Sequence, residues 1–397
     1  MKLNFGRDHL AIPGPSTMPS RVLAAMQQAA PNIYAGPLVD LTEQTYQGLL
    51  RIAKSSGQLI SYVGNGHAAW EASLSNTLSP GDEVIALVNG RFGGMWSQIA
   101  DALGVKVTWV QSDGTEAINT EALLRALQAD SEHKVQAVLM VQTDTSNSIV
   151  NDVQVVRKTL DASAHPALLM VDAIASFACE PLRVDDWGVD VLVTACQKGL
   201  MTPPGLAFNI ISDRVWQWHA KASRNTPYWD WEPRVKGELF PEKFGGTPPT
   251  HLLLGLSEAV KMLEEEGIEN TWARHRVHAE CVWAAVDAWS AEGSIRCYIG
   301  NNKLRSTAVT SIVTANEDAM RIQDWISEHT GVVLGVGLFA EAGAGLDKNQ
   351  FRIGHMGHLS PPMILGTLSC VNSALIALDI KHGTGALDAA CQVIATY

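Results

Sequence analysis

Residues at four places in the chain carry the chemistry this sequence can do. Lys198 stands in "TACQKGLMTPPG", three residues after the run "VDVLVTA". A lysine there is either a solvated surface charge or, when desolvated, a nucleophile and base near neutral pH. Asp172 closes "ALLMVD", the apolar run before it. An acid ending such a run must be partnered or exposed. It can ligate a metal, cap a loop, or face a cationic ring nitrogen, keeping that ring protonated and electron-accepting. In "YVGNGHAAWEA", Gly64 and Gly66 lie between a strand and a helix. Backbone N–H groups at such a helix start make an anion site. Arg352, in "FRIGHMG", is either a strand residue pointing to water or a planar fork for a carboxylate.

Together these supply a nucleophilic lysine, an acid for a ring nitrogen, a phosphate cradle and a carboxylate fork. Those are the parts that pyridoxal 5'-phosphate chemistry on amino acids needs. The lysine forms a Schiff base with the cofactor, and its freed amine then moves the α-proton. Two other readings compete. Gly64, Gly66 and Ala69 also match the dinucleotide fingerprint of an oxidoreductase. That fingerprint expects an acid closing the next strand, where "EVIALVN" ends in Asn89 and has Asp82 and Glu83 at its start. A lone phosphate fits better. The other reading is a cofactor-free interaction protein that keeps only the fold.

The elements that must position these residues follow from the pattern. Seven short runs, "QLISYV", "EVIALVN", "KVTWVQ", "AVLMVQT", "ALLMVDA", "DVLVTA" and "LAFNIIS", are mostly apolar on consecutive positions. That predicts strands covered on both faces. Helices are expected between them, at 68–78, 93–102 and 120–128. The alternation predicts an α/β open sheet, with ligands at the carboxyl ends of its strands. Pro203, Pro204 and Gly205 stiffen and turn the chain after the lysine. Residues 216–250, rich in Trp, Pro and Gly, read as a long irregular connection. Helices at 252–265 and 271–291 follow, and then a smaller α+β region of strands and helices. The expected organisation is an N-terminal arm at 1–19, a large domain at 20–267 and a small domain at 268–397.

Of the 397 residues 46% are hydrophobic and 18% charged, and the net charge is -12. An acidic chain without a Lys/Arg-rich run is no general nucleic-acid binder. No apolar segment reaches signal-peptide or bilayer-spanning length, so a cytoplasmic protein without a membrane partner is expected. The six cysteines form no C-x-x-C pair and read as reduced thiols.

Over nearly its whole length the chain resembles the class V, fold type I aminotransferases, and within them the alanine/serine/aspartate–glyoxylate group. The resemblance rests on "IPGPSTMP", "GNGHAAWEASLSNTLSPGD", "NGRFGG", "TDTSNS", "VDAIASF", "CQKGLMTPPGLAF", "FGGTPPTHLLLGL" and "FRIGHMG", in that order. It implies a large domain with a mainly parallel seven-stranded sheet and a small α+β domain. It implies that Lys198 carries the pyridoxal phosphate and that Asp172 binds the pyridine nitrogen. Ile174 and Phe92 would pack on the two ring faces. Asn65, Gly66, His67 and Gln197 would hold the phosphate, and Thr145 would contact the ring or its phenolic oxygen. Arg352 would bind the substrate carboxylate. Thr247 would reach the phosphate of a neighbouring subunit, in a homodimer with active sites at the interface. Three positions depart from the family: Phe244 stands for a frequent Tyr, Ser148 for a frequent Gly, and "NIYAGP" for a His-Arg stretch near the substrate entrance. The last makes Tyr34 a candidate specificity residue. The implied reaction moves an amino group from a small amino acid of the alanine, serine or aspartate type to a 2-oxo acid such as glyoxylate or pyruvate. An amine–pyruvate transaminase or a lyase would use the same cofactor. A cysteine desulfurase needs a cysteine on a mobile small-domain loop, and "GVGLFAEAGAGLDKNQ" has none.

Overall fold

The computed structural model describes residues 6, 8–339, 343 and 345–397. Part of the expected arm (1–5 and 7) and the middle of the cysteine-free loop (340–342 and 344) lie outside them. The described strands are β1 (His9–Ala11), β2 (Gln58–Gly64), β3 (Glu83–Val88), β4 (Lys106–Gln111), β5 (Val135–Val141), β6 (Thr143–Asp144), β7 (Ile149–Val150), β8 (Leu168–Asp172), β9 (Val191–Ala195), β10 (Gly205–Ile211), β11 (Arg296–Cys297), β12 (Val309–Val313), β13 (Val332–Leu338) and β14 (Leu346–Gly354).

The seven predicted runs are the seven strands of one sheet, ordered β2-β10-β9-β8-β5-β3-β4. Only β10 runs against its neighbours; the other pairings are parallel. The consecutive apolar residues have a direct cause. Successive side chains of a strand point to opposite faces. Leu168 and Met170 pack into one core with the helices Gly66–Ser75 and Arg91–Ala102. Leu169 and Val171 pack into another, with the helices Pro37–Ala53 and Thr250–Glu266. The run "KVTWVQ" differs: only Val110 of β4 is buried and Trp109 is exposed. As the last strand of the sheet it is open along one edge.

The helix Pro37–Ala53 is not signalled by the strand pattern. It starts at Gly36, φ 93°, and buries Leu38, Leu49 and Ile52. The connection 216–250 contains two short α-helices, Trp216–His219 and Trp231–Lys236, and a 3₁₀ helix, Phe240–Phe244. Its Trp231 is fully buried against the sheet.

A second sheet, ordered β1-β13-β14-β12-β11, holds Arg352 in its central strand. Phe351 and Ile353 enter a core shared with the helices Ile268–Ser290 and Pro361–Ala377. Alternation turns Arg352 to the other face, toward the first sheet. Residues 9–11 of the expected arm form the edge strand β1 of this sheet, parallel to β13. All six cysteines are free thiols. No described helix is long and apolar enough to cross a membrane.

Leu192, fully buried in β9, measures how much the double-sided packing contributes. Leu192→Ala should destabilise the protein by about 2–5 kcal/mol. Val155→Ala, at a position 41% exposed, should cost about 0.5 kcal/mol or less. Urea unfolding of the two variants beside the parent checks both.

Candidate active site

Parallel strands deliver their carboxyl ends to one side of the sheet, and five of them meet there. The loop after β2 brings Asn65, Gly66 and His67; the one after β3 brings Phe92; the one after β5 brings Thr143 and Thr145. Asp172 ends β8 and Ile174 follows it, and Gln197 and Lys198 follow β9. With Trp70 and Ala175 they line a cavity of about 190 Å³. Nine of the twelve residues singled out in the sequence are therefore in one wall.

Lys198 is partly buried, and its Nζ donates to the carbonyl of Pro13. Burial pushes its amine down to about 8, and the charge of Arg352 adds to the effect, against Asp172 and Cys179. Asp172 is 3% exposed. Burial pushes its carboxyl up to about 7. Two donors work against that shift: the amide of Ile174 at 2.6 Å and the indole Nε1 of Trp70 at 3.0 Å. The site thus holds an amine and an acid that both change charge near neutral pH.

The walls are shaped by close contacts. A Cβ on Gly66 would come within 2.3 Å of Ile174 Cδ1, so only glycine lets that side chain lie across the helix start. Asn65 caps the helix: its Oδ1 accepts the amide of His67 at 3.1 Å. That amide is engaged by the cap, where the sequence suggested open donors. Asn is among the best N-caps, which is why it takes this bond. Phe92 is the second residue of the helix Arg91–Ala102, and its amide donates to Asp144 Oδ2 at 2.8 Å. Asp144 also accepts from Gly93 and from the amide and hydroxyl of Ser146.

Arg352 stands outside the cavity wall and reaches it through one residue. Its Nη1 donates to the carbonyl of Thr145 at 2.8 Å, and its Nε to the carbonyl of Val336 at 2.7 Å. Burial holds its guanidinium down at about 10, with Asp144 opposing. Tyr34 is 75% exposed, and Thr247 is exposed as well. Neither lines the cavity of its own chain. Phe244 is buried and packs edge-on against Phe240, ring centroids 5.4 Å apart. Ser148 holds φ 66°, a conformation that favours glycine. Its hydroxyl accepts the amide of Ser311 in β12 at 3.0 Å, which ties the turn between β6 and β7 to the sheet that holds Arg352.

A planar ring carrying a phosphate fits this cavity. A buried acid raised toward neutrality lacks a cation, and a pyridinium would supply one. Ile174 and Phe92 are apolar walls for a ring. Gly66 allows close approach at a helix start. Lys198 would hold the carbonyl end.

Trp70 lines the cavity, and Asp144, Gly14 and Ser16 contact its lining residues; none of the four stands out in the sequence. Trp70 sits four residues after Gly66, one helical turn on, which was the available signal. It stacks on Trp96, centroids 6.1 Å apart. The other three contact site residues distant in sequence.

Residues 10–341 match the family model described as aminotransferase class-V. The chain is 33% identical over 390 residues to the serine–glyoxylate aminotransferase of Methylorubrum extorquens, covering 96% of this chain and 94% of that protein. It is 32% identical over 378 residues to the L-aspartate–glyoxylate aminotransferase of Paracoccus denitrificans, covering 94% and 93%. Its fold matches that of pyridoxamine–pyruvate aminotransferase from Mesorhizobium loti with a TM-score of 0.89 over 100% of both chains, at 24% identity. The chain belongs to the class-V aminotransferase family.

Proposed function

We propose that this protein is a pyridoxal 5'-phosphate-dependent aminotransferase that moves an amino group from a small amino acid to a 2-oxo acid, glyoxylate or pyruvate. The observation that carries this reading is the enclosure of Lys198 and Asp172 in one cavity at adjoining strand ends, each pushed toward its neutral form. Relatives named for serine and for aspartate as donors, both with glyoxylate, support the substrate class. The working form is a cytoplasmic homodimer. Its large domain is 20–267, its small domain 268–397, and 1–19 is the N-terminal arm.

When bound, the cofactor supplies an aldehyde that joins an amine and a ring that stabilises negative charge at the amino acid's α-carbon. The chain's residues do the rest. Asp172 would face the ring nitrogen and hold its proton, with Trp70 and the Ile174 amide favouring the ionised carboxylate against burial. Ile174 and Phe92 clamp the ring, and Thr145 contacts it. Gln197, Asn65, Gly66 and His67 hold the phosphate. Arg352 grips the substrate carboxylate with its planar fork, already aimed by the carbonyls of Val336 and Thr145. The neutral Lys198 amine would take the proton from the amino acid's α-carbon and hold it for return. In the dimer, Thr247 reaches the partner's phosphate, and Tyr34 lines the substrate entrance.

The test of the reading is a panel of single half-reactions. Enzyme loaded with the cofactor is mixed with alanine, serine, aspartate or pyridoxamine, and loss of the visible band is followed; glyoxylate or pyruvate should then restore it. A band unaffected by any of the amino acids would end the proposal, and bleaching by pyridoxamine alone would move it to an amine substrate. Arg352→Lys should lower kcat/KM for the amino acid on the order of 10- to 100-fold, because a point charge cannot copy the fork. Lysine is nucleophilic only when neutral, so cofactor-free protein should take up the cofactor faster as pH rises. Half of Lys198 is neutral near pH 8. The uptake rate should therefore climb between about pH 7 and 9 and then level, where an ordinary lysine would still be gaining.

A further inference from the structure

The N-terminal residues 9–16 touch both sheets. Residues 9–11 pair with β13. Further on, the backbone runs against that sheet so tightly that a Cβ on Gly335 would come within 2.5 Å of Pro13 Cδ, and one on Gly354 within 2.2 Å of the Ile12 carbonyl. The next residues lie on the lysine. The Pro13 carbonyl accepts from Lys198 Nζ. Gly14, at φ 96°, is so close that a Cβ there would meet Lys198 Cδ and Nζ at 2.5 Å. Ser16 donates its amide to the Gln197 carbonyl at 2.9 Å and its hydroxyl to the Lys198 carbonyl at 2.7 Å. Ser16 is 6% exposed. It is backed by Gly357, whose amide is fixed by His275 Nε2 at 2.9 Å.

We infer that residues 13–16 form a strap that encloses and aims the Lys198 amine, with Ser16 as the positioning residue that fastens the strap to the lysine's own backbone. The inference rests on the proposed role of Lys198 as the reactive amine. It deepens that role in two ways. The strap removes water from one side of the amine, and it gives the amine a fixed acceptor when it is not joined to a cofactor. Because the strap is continuous with β1, and β13 also supplies the Val336 carbonyl to Arg352, the lysine and the carboxylate fork are aimed from one sheet.

Burial is the largest cause of the lowered amine, and the titratable groups facing it are Arg352, Asp172 and the Cys179 thiol, which burial keeps neutral. Ser16→Ala leaves all three in place and loosens only the strap, removing its hydroxyl bond to the Lys198 carbonyl while keeping the amide bond to Gln197. Water then reaches the amine and favours its charged form, so its titration midpoint should move up from about 8 toward the ordinary 10.5.

The experiment measures Lys198 itself, on cofactor-free protein. Reductive methylation with formaldehyde and cyanoborohydride is run across pH, and methylation of the Lys198 peptide is quantified by mass spectrometry. For Ser16→Ala the midpoint should rise by about one unit, the size of one lost hydrogen bond and its shielding. Ser16→Thr, which keeps the hydroxyl, should restore the parent midpoint. Gly14→Ala, which pushes directly on the lysine side chain, should shift the midpoint as well and serves if Ser16→Ala does not fold. An unchanged midpoint in the folded variants overturns the strap, even if they lose thermal stability. A shifted midpoint in a protein that transfers no amino group keeps the strap and overturns the proposed reaction.

Discussion

The structure turns on one electrostatic constraint: an amine and a carboxyl are enclosed together without pairing directly. Lys198 and Asp172 sit at the ends of neighbouring strands, and burial drives each toward its neutral form. Enclosing two such groups is costly unless hydrogen bonds or a ligand offset it. Trp70 and the Ile174 amide partly satisfy the acid, and the Pro13 carbonyl satisfies the amine. What remains is a site poised to take a cationic ring against the acid and a carbonyl against the amine. That is the chemistry of the proposed cofactor.

The rest of the fold serves that enclosure. The parallel sheet gathers five strand ends on one side, and its two faces are sealed by separate cores. The second sheet closes the site from the opposite direction, with helices on one face and Arg352 on the other. One turn, between β6 and β7, joins the halves at two points. At Asp144, Thr145 and Ser146, one stretch orders the helix that presents Phe92 and offers the carbonyl that orients Arg352. At Ser148, a strained backbone is retained with a hydroxyl that binds β12.

The sheet was legible because its strands are buried on both faces, and unbroken apolar runs report that directly. β4 obeyed the pattern less well because an edge strand needs no second cover. Lys198 and Asp172 were legible only in combination with Gly64, Gly66 and Arg352, because a polar residue closing an apolar strand is by itself as readily a surface charge or a loop cap. Trp70 was hidden among apolar helix positions, although its indole Nε1 reaches a residue 102 positions away. Ser16 and Gly14 were hidden for the same reason: their partners lie more than 180 positions on. Tyr34 and Thr247 are surface residues on the single chain, and their roles rest on the proposed dimer.

The central claim is that Lys198 is the amine that binds the cofactor. Protein saturated with pyridoxal 5'-phosphate can be reduced with borohydride, digested and mapped by mass spectrometry. The account predicts one phosphopyridoxyl group per chain, on Lys198. Stoichiometric label on another lysine, or none on Lys198, would contradict it.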